Sequence, residues 1–275
     1  MGLITLGFSP CPNDTFIFHG IVNGGIKTGD LRFMESLMDI DELNKCAVNG
    51  ILDMVKVSFH AYLYLKDKYR LLTSGGALGS GCGPLIVAKD KLDMTDLRGK
   101  KIAIPGTLTT AFLLLRLFDP ALSDNIIVMP FNKIMDAVSS GAADAGLIIH
   151  ESRFTYKYHG LHCVIDLGDW WEGETGSPIP LGCIILKNSF DSQTYEHVNG
   201  LLKESVIYAQ NNRDETMEYV KKFSTELSGD VINSHIDLYV NDFTVEYGER
   251  GMKAINMLLD RAEKLGIFKW CDHSD

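Results

Sequence analysis

Four short stretches of this 275-residue chain carry side chains that could do acid–base chemistry or hold an anion. One is the apolar run Ala143-Asp144-Ala145-Gly146-Leu147-Ile148-Ile149, which stops at His150 and continues as Glu151-Ser152-Arg153-Phe154-Thr155-Tyr156. Small and β-branched residues up to Ile149 predict a buried strand, and the polar residues after it predict that the chain leaves the sheet there. In open α/β sheets ligands collect outside the carboxyl ends of the strands, so a titratable imidazole at that point is placed where chemistry could use it. Position alone favours a plainer role, a histidine satisfied by a neighbouring carbonyl at a loop entrance.

A second stretch, Asp53-Met54-Val55-Lys56-Val57-Ser58, reads as a strand running into Phe59-His60-Ala61-Tyr62-Leu63. At that strand-to-helix junction Lys56 can meet a carboxylate and Ser58 can donate a hydrogen bond, although a lysine on a partly covered strand can also simply reach for solvent. His60, among Phe59, Tyr62 and Leu63, reads as a packed helix residue. The third stretch is Ser9-Pro10-Cys11-Pro12-Asn13-Asp14-Thr15, where two prolines set a turn and Asn13 or Asp14 can cap a helix. The fourth runs from Ile102 through Pro105-Gly106 to Thr107-Leu108-Thr109-Thr110-Ala111, a strand, a turn and threonines at a helix start. Both place helix N-terminal amides beside a strand end, where an anion can bind, and the two cradles are expected to face each other. Ordinary capping explains the same residues without a ligand.

Composition narrows the class. Hydrophobic residues make up 45% of the chain and charged residues 23%, as in an ordinary globular protein. The formal net charge of -10 gives no broad footprint for nucleic acid. No apolar run reaches the ~20 residues of a membrane-spanning helix. Gly2 to Phe8 enters a strand pattern with no secretory signal, and Cys11, Cys46, Cys82, Cys163, Cys183 and Cys271 are scattered without a CxxC pair, so reduced thiols in a cytoplasmic protein are expected. His159 and His162 have no acidic partner at metal-ligand spacing, and the glycine cluster from Ser74 to Pro84 fails the dinucleotide fingerprint at Pro84. Neither metal nor cofactor is expected.

The elements that must position these residues follow from periodicity. Strands alternate with helices through the first half, which predicts a largely parallel sheet. The glycines of residues 74–84 suit a hinge, or equally a tight connection, and the strand from Ile179 to Leu186 could bring the chain back after a crossing. Asp166 to Trp171 reads as an aromatic strand end that walls a pocket or packs in the core, followed by a turn-rich stretch from Glu172 to Pro178. Helical periodicity dominates from Asp191 onward. The expected lobes are residues 1–86 with 180–275, and residues 87–179.

Several of these stretches together resemble the 1,4-dihydroxy-6-naphthoate synthase family of the futalosine route to menaquinone. The matching segments are Ser9-Pro10-Cys11-Pro12-Asn13-Asp14-Thr15-Phe16, Ser74-Gly75-Gly76-Ala77-Leu78-Gly79 with Gly83-Pro84-Leu85, Thr109-Thr110-Ala111, Ile148 to Tyr156, and Tyr239-Val240-Asn241. The resemblance implies an α/β, two-domain, periplasmic-binding-protein-like fold of type II with the ligand cleft between the domains. It also implies a cofactor-independent carbon–carbon lyase that takes cyclic dehypoxanthinyl futalosine to 1,4-dihydroxy-6-naphthoate. His150 would be its proton acceptor, with substrate contacts at Val55, Lys56 and Val57 and at Thr110 and Ala111. Beside these, Ser58, Thr109, Asn13 and Asp14 are expected at the ligand, and Lys56 or Arg153 is expected to meet the substrate carboxylate. Val55, Val57 and the pair Phe59-His60 are local departures from relatives. Two alternatives accompany this reading: the chorismate dehydratase branch of the same pathway, which the segment from Ile148 to Tyr156 disfavours, and a cytoplasmic small-molecule-binding protein without catalysis.

Overall fold

The computed structural model describes residues 2–224 and 228–267. In chain order the first lobe starts with β1 (Gly2–Phe8), α1 (Pro12–Val22), β2 (Leu31–Leu37), α2 (Ile40–Val48), β3 (Met54–Ser58), α3 (Phe59–Leu63), β4 (Tyr69–Leu71) and β5 (Ala77–Gly79). The second lobe holds β6 (Leu85–Ala88), β7 (Ile102–Ile104), α4 (Thr110–Phe118), β8 (Ile126–Val128), α5 (Phe131–Ser139), β9 (Ala145–Ile148), α6 (Ser152–Thr155), β10 (His162–Asp166) and α7 (Leu167–Thr175). The chain returns as β11 (Ile179–Lys187), and α8 (Ser192–Asn211), α9 (Arg213–Phe223), α10 (Gly229–Tyr239), α11 (Asp242–Val245) and α12 (Gly248–Lys264) complete the first lobe.

Each lobe is built on one sheet. The first has the order β2-β1-β3-β11-β4, with β5 also paired to β11, and the second has the order β10-β6-β9-β7-β8. The expected largely parallel sheet holds only for part of each. β1 is parallel to β2 and β3, and β7 to β8 and β9. The crossing strands break the pattern, because β11 runs antiparallel to β3, β4 and β5, and β6 antiparallel to β9 and β10. Every residue of β3 is buried, so its apolar side chains need cover on both faces, and Lys56 and Ser58 are the polar exceptions among them. The helix α1 is buried from Pro12 to Ile21 and lies among α8, α9 and α10. Its lack of a polar face is what such a central position requires. One apolar cluster joins the lobes, including Val57 and Leu78 of the first with Ile86, Ile104 and Leu113 of the second.

Three expectations change here. β6 begins at Leu85 and pairs wholly within the second sheet, so the crossing lies in residues 80–84 and Leu85 and Ile86 belong to the second lobe. The return strand starts with Ile179 already paired to Gly79. Third, β10 ends at Asp166, whose carboxylate caps α7 by accepting from the amides of Gly168 and Asp169, so Trp170 and Trp171 lie on a helix. Trp171 is fully buried with its indole N–H on the Pro178 carbonyl, which makes it core rather than pocket wall.

The glycines of the crossing have unequal duties. A Cβ on Gly83 would drive into the Gly168 backbone, and one on Gly76 into the Tyr247 ring, so these two serve close packing. Gly81 (φ 67°) and Gly176 (φ 62°), one in each crossing, have positive φ and open space. Gly83→Ala is expected to lower stability by about 1–3 kcal/mol through overpacking against rigid backbone. Gly173→Ala, in α7 with nothing near its Cβ, should be neutral or stabilising by about 0.5–1 kcal/mol. Urea denaturation of the two variants checks the contrast.

Candidate active site

Between the lobes lies a cleft with about 650 Å³ of empty space, open to solvent on one side. The carboxyl ends of β1, β3 and β9 converge on it. They bring Ser9, Lys56 and Ser58 from the first lobe and Ile149 and His150 from the second, while the starts of α1 and α4 add Asn13 and Asp14 opposite Thr109, Thr110 and Ala111. The two expected cradles therefore face one another. Helix geometry leaves the first-turn amides of Thr110 and Ala111 without a carbonyl partner inside α4.

His150 is the one non-glycine residue with positive φ among those described, at 57°. β-Substituted residues reach that region only when their surroundings hold them there, and such holding is common at functional sites. Its ring is held on several sides. Nδ1 lies 3.5 Å from Cys11 Sγ, Phe131 packs edge-on with centroids 5.2 Å apart, and the His235 ring lies nearly parallel at 6.4 Å. Burial pushes the imidazole below its ordinary pKa and Lys56 adds to this, while Glu151, Asp14 and Asp39 pull the other way. The ring is thus neutral at pH 7. Burial, with Glu151 and Asp14, drives the Cys11 pKa well up, so the group at Nδ1 is a thiol and not a thiolate. In the tautomer that directs Nδ1–H at the Cys11 sulfur, Nε2 is the unprotonated nitrogen, free to accept a proton from a ligand.

Lys56 and Asp14 form an ion pair at 2.9 Å with side chains 5% and 4% exposed. Burying such a pair is tolerable only when the remaining lone pairs are satisfied. Asp14 meets that condition, accepting from Ser9 Oγ at 2.6 Å, the Ser9 amide at 3.3 Å and Asn13 Nδ2 at 2.9 Å. Asn13 Oδ1 in turn accepts from His235 Nε2 at 2.9 Å. Its other atom donates to Asp14, so the neutral His235 carries its proton on Nε2. Lys56 spends one N–H on Asp14 and has two more to offer the cleft.

Across the cleft mouth His60 donates from Nδ1 to the Thr109 carbonyl at 3.2 Å and its amide reaches Thr110 Oγ1 at 3.4 Å, which ties α3 to the start of α4. Burial pushes its pKa down to about 4 from an ordinary 6.5, the Thr109 carbonyl opposing and Arg116 assisting. The unfolded chain therefore takes up this proton first, so the contribution of His60 is fully present above pH 6.5 and is lost as pH falls towards 4. His60→Asn keeps a donor for Thr109 but does not titrate. Over that window it should lose roughly 3 kcal/mol less stability than the wild type, measured by urea denaturation at the two pH values.

Of the residues expected at the ligand, Asn13, Asp14, Lys56, Ser58, Thr109, Thr110, Ala111 and His150 line the cleft together. Three do not. Val55 and Val57 point into the core, fully buried, with their backbones paired to β11. Arg153 donates to the Gly83 carbonyl at 2.7 Å and to Asp166 at 2.6 Å, and faces a separate cavity with Tyr156, Lys157 and Cys163. Its guanidinium is spent on the packing of β10 against the crossing, so Lys56 is the cation at the cleft. The sequence reading missed Asn44, His235 and the role of Cys11. His235 sits on a helix far from Asn13 in sequence and Asn44 on the helix before β3, neither with a local signal, whereas Cys11 lies within the proline-flanked turn that marks the start of α1.

Among the described residues no group of three or more His, Cys, Asp and Glu side chains is arranged to hold a metal ion, and no helix is long and apolar enough to cross a membrane. Cys271 lies outside the described residues.

Comparisons with known proteins address the family and the fold. Residues 4–264 match the family described as Menaquinone biosynthesis. A protein of Thermus thermophilus named 1,4-dihydroxy-6-naphtoate synthase is 41% identical over 267 residues, covering 97% of this chain and 96% of the relative. Its namesake in Streptomyces coelicolor is 42% identical over 268 residues, covering 96% and 94%. A crystal structure of a protein from Archaeoglobus fulgidus superposes with a TM-score of 0.90 at 37% identity, covering 96% of this chain and 98% of the other. The alkanesulfonate-binding protein SsuA from Xanthomonas axonopodis pv. citri has a TM-score of 0.65 at 16% identity, covering 87% and 84%. That likeness shows the fold alone, a periplasmic-binding-protein fold with its cleft between two α/β lobes. At more than 40% identity over nearly the whole length of two enzymes, and with the family match spanning both lobes, the chain belongs to the menaquinone-biosynthesis family of 1,4-dihydroxy-6-naphthoate synthases.

Proposed function

We propose that this protein is a carbon–carbon lyase that converts cyclic dehypoxanthinyl futalosine to 1,4-dihydroxy-6-naphthoate, with His150 as general base. The observation that carries the reading is the strained, half-buried and neutral His150 at the end of β9, with its Nδ1 against the Cys11 thiol and Nε2 left to the cleft. The names of the Thermus and Streptomyces relatives supply the product.

The chemistry asks for few parts. A base removes a proton from a carbon or hydroxyl next to a carbonyl, electrons collect on the carbonyl oxygen, and a C–C bond breaks, releasing a small sugar-derived fragment as the second ring becomes aromatic. His150 Nε2 takes the proton, and the neighbouring Glu151 and Asp14 carboxylates favour the imidazolium that results. The amides of Thr110 and Ala111 and the Ser58 hydroxyl are donors for the oxygen that gains charge. Lys56 offers its remaining N–H groups to the substrate carboxylate. Closure of the lobes keeps water from the enolate.

The test offers the purified protein the cyclic substrate and, separately, chorismate, with no added cofactor, and follows products by chromatography. Naphthoate from the first and nothing from the second is expected. Dehydration of chorismate, or binding of the cyclic compound without turnover, would overturn the reading.

A further inference from the structure

Five hydroxyls line the cleft, those of Ser9, Ser58, Thr109, Thr110 and Tyr239. A hydroxyl has one proton to give, and four of these give it to the protein. Ser9 Oγ donates to Asp14 at 2.6 Å, Thr109 Oγ1 to the Gly106 carbonyl at 2.8 Å, Thr110 Oγ1 to the Leu181 carbonyl at 2.5 Å and Tyr239 OH to the Cys82 carbonyl at 3.2 Å. Ser58 alone is held the other way round.

The agent is Asn44 on α2, which is 0% exposed. Its Oδ1 accepts from the Ser58 amide at 2.9 Å, and a main-chain N–H can only donate. Its Nδ2 lies 3.5 Å from the Leu108 carbonyl, which can only accept. Both contacts force the same orientation of the amide group. Nδ2 is therefore the donor to Ser58 Oγ at 3.2 Å, and the Ser58 proton has no acceptor among the described residues. Leu108 belongs to the second lobe and Asn44 to the first, so the same amide group also bridges the lobes.

We infer that Asn44 is a positioning residue that turns the Ser58 hydroxyl into the cleft as its one uncommitted hydroxyl donor, aimed at the oxygen that gains negative charge as the C–C bond breaks. The inference rests on the lyase reading for the identity of that oxygen, but not for the direction of the proton. It also separates Ser58 from Thr110, whose contribution is confined to its amide.

A double-mutant cycle with the cyclic substrate tests it, comparing wild type, Ser58→Ala, Asn44→Asp and the double variant. Ser58→Ala should lower kcat by about 10²–10³-fold, the effect of removing one oxyanion donor, with KM little changed. In Asn44→Asp the Ser58 amide keeps its acceptor, but the second carboxylate oxygen now takes the Ser58 proton, so kcat should fall comparably. The double variant should be no slower than Ser58→Ala. Losses that multiply in the double variant, or wild-type kcat in either single one, would overturn the inference, and Ser58→Ala decides alone should Asn44→Asp not fold. If the wild type itself gives no naphthoate, the lyase reading fails separately, and a neutron structure of the unliganded protein decides this point. A Ser58 deuterium directed into the cleft supports the assignment, and one directed at Asn44 refutes it.

Discussion

His150→Asn is expected to lower kcat for the cyclic substrate by about 10²–10⁴-fold, the range for loss of a positioned general base, while leaving the fold intact. Asparagine is the substitution of choice because His150 has φ 57°. Asn adopts the left-handed region more readily than other non-glycine residues, so the change removes the base without adding backbone strain, which alanine would do. Thermal unfolding should accordingly differ little between wild type and variant. The pH dependence carries a second expectation. Burial holds the imidazole pKa below its ordinary 6.5, and the neutral ring is the active form. Wild-type kcat/KM should therefore be retained as pH falls to 6.5 and decline only below it. A decline centred above 6.5 would point to another group as the base.

The second large effect concerns the ion pair. Lys56→Met leaves the Asp14 carboxylate buried with only Ser9 and Asn13 as donors, and breaking a buried pair from one side costs about 3–5 kcal/mol. It also removes the cation at the cleft, and losing a hydrogen bond to a charged group corresponds to about 10- to 10²-fold in kcat/KM. The two consequences can be pulled apart. Asp14→Asn with Lys56→Met removes both charges, and replacing a whole buried pair is often neutral for stability. The double variant should recover most of the resistance to urea but none of the activity. Recovery of both would mean that Lys56 serves only the fold.

How much of this was legible in the chain follows from which interactions are local. The strand-end histidine, the turn at Ser9 to Asp14 and the threonines before α4 announce themselves because caps, prolines and the end of an apolar run act within a few residues. Their convergence in one cleft follows from the α/β order. The antiparallel insertion of β11 between β3 and β4 of the first sheet is a long-range pairing that periodicity does not encode. α7 is different, since its signal is local: the tryptophans suggest a strand end, while Asp166, two and three residues before the amides it caps, sets a helix. The family resemblance implies contacts at Val55 and Val57 beside Lys56, but alternation sends their side chains to the opposite face of β3. Arg153 stands one turn from His150 and yet is turned away by Asp166. Asn44 and His235 are ordinary helix polar residues until the fold brings them against Ser58 and Asn13.

The central claim is that His150 drives a lyase reaction on the cyclic futalosine, and a single-turnover measurement tests it most directly. Purified wild type and His150→Asn, each in excess over cyclic dehypoxanthinyl futalosine at pH 7 without added cofactor, are quenched over time and the 1,4-dihydroxy-6-naphthoate is quantified. One equivalent of naphthoate per substrate is expected from the wild type, with the variant slower by at least ~10²-fold. Naphthoate formed by His150→Asn at the wild-type rate, or none formed by the wild type, would contradict the claim.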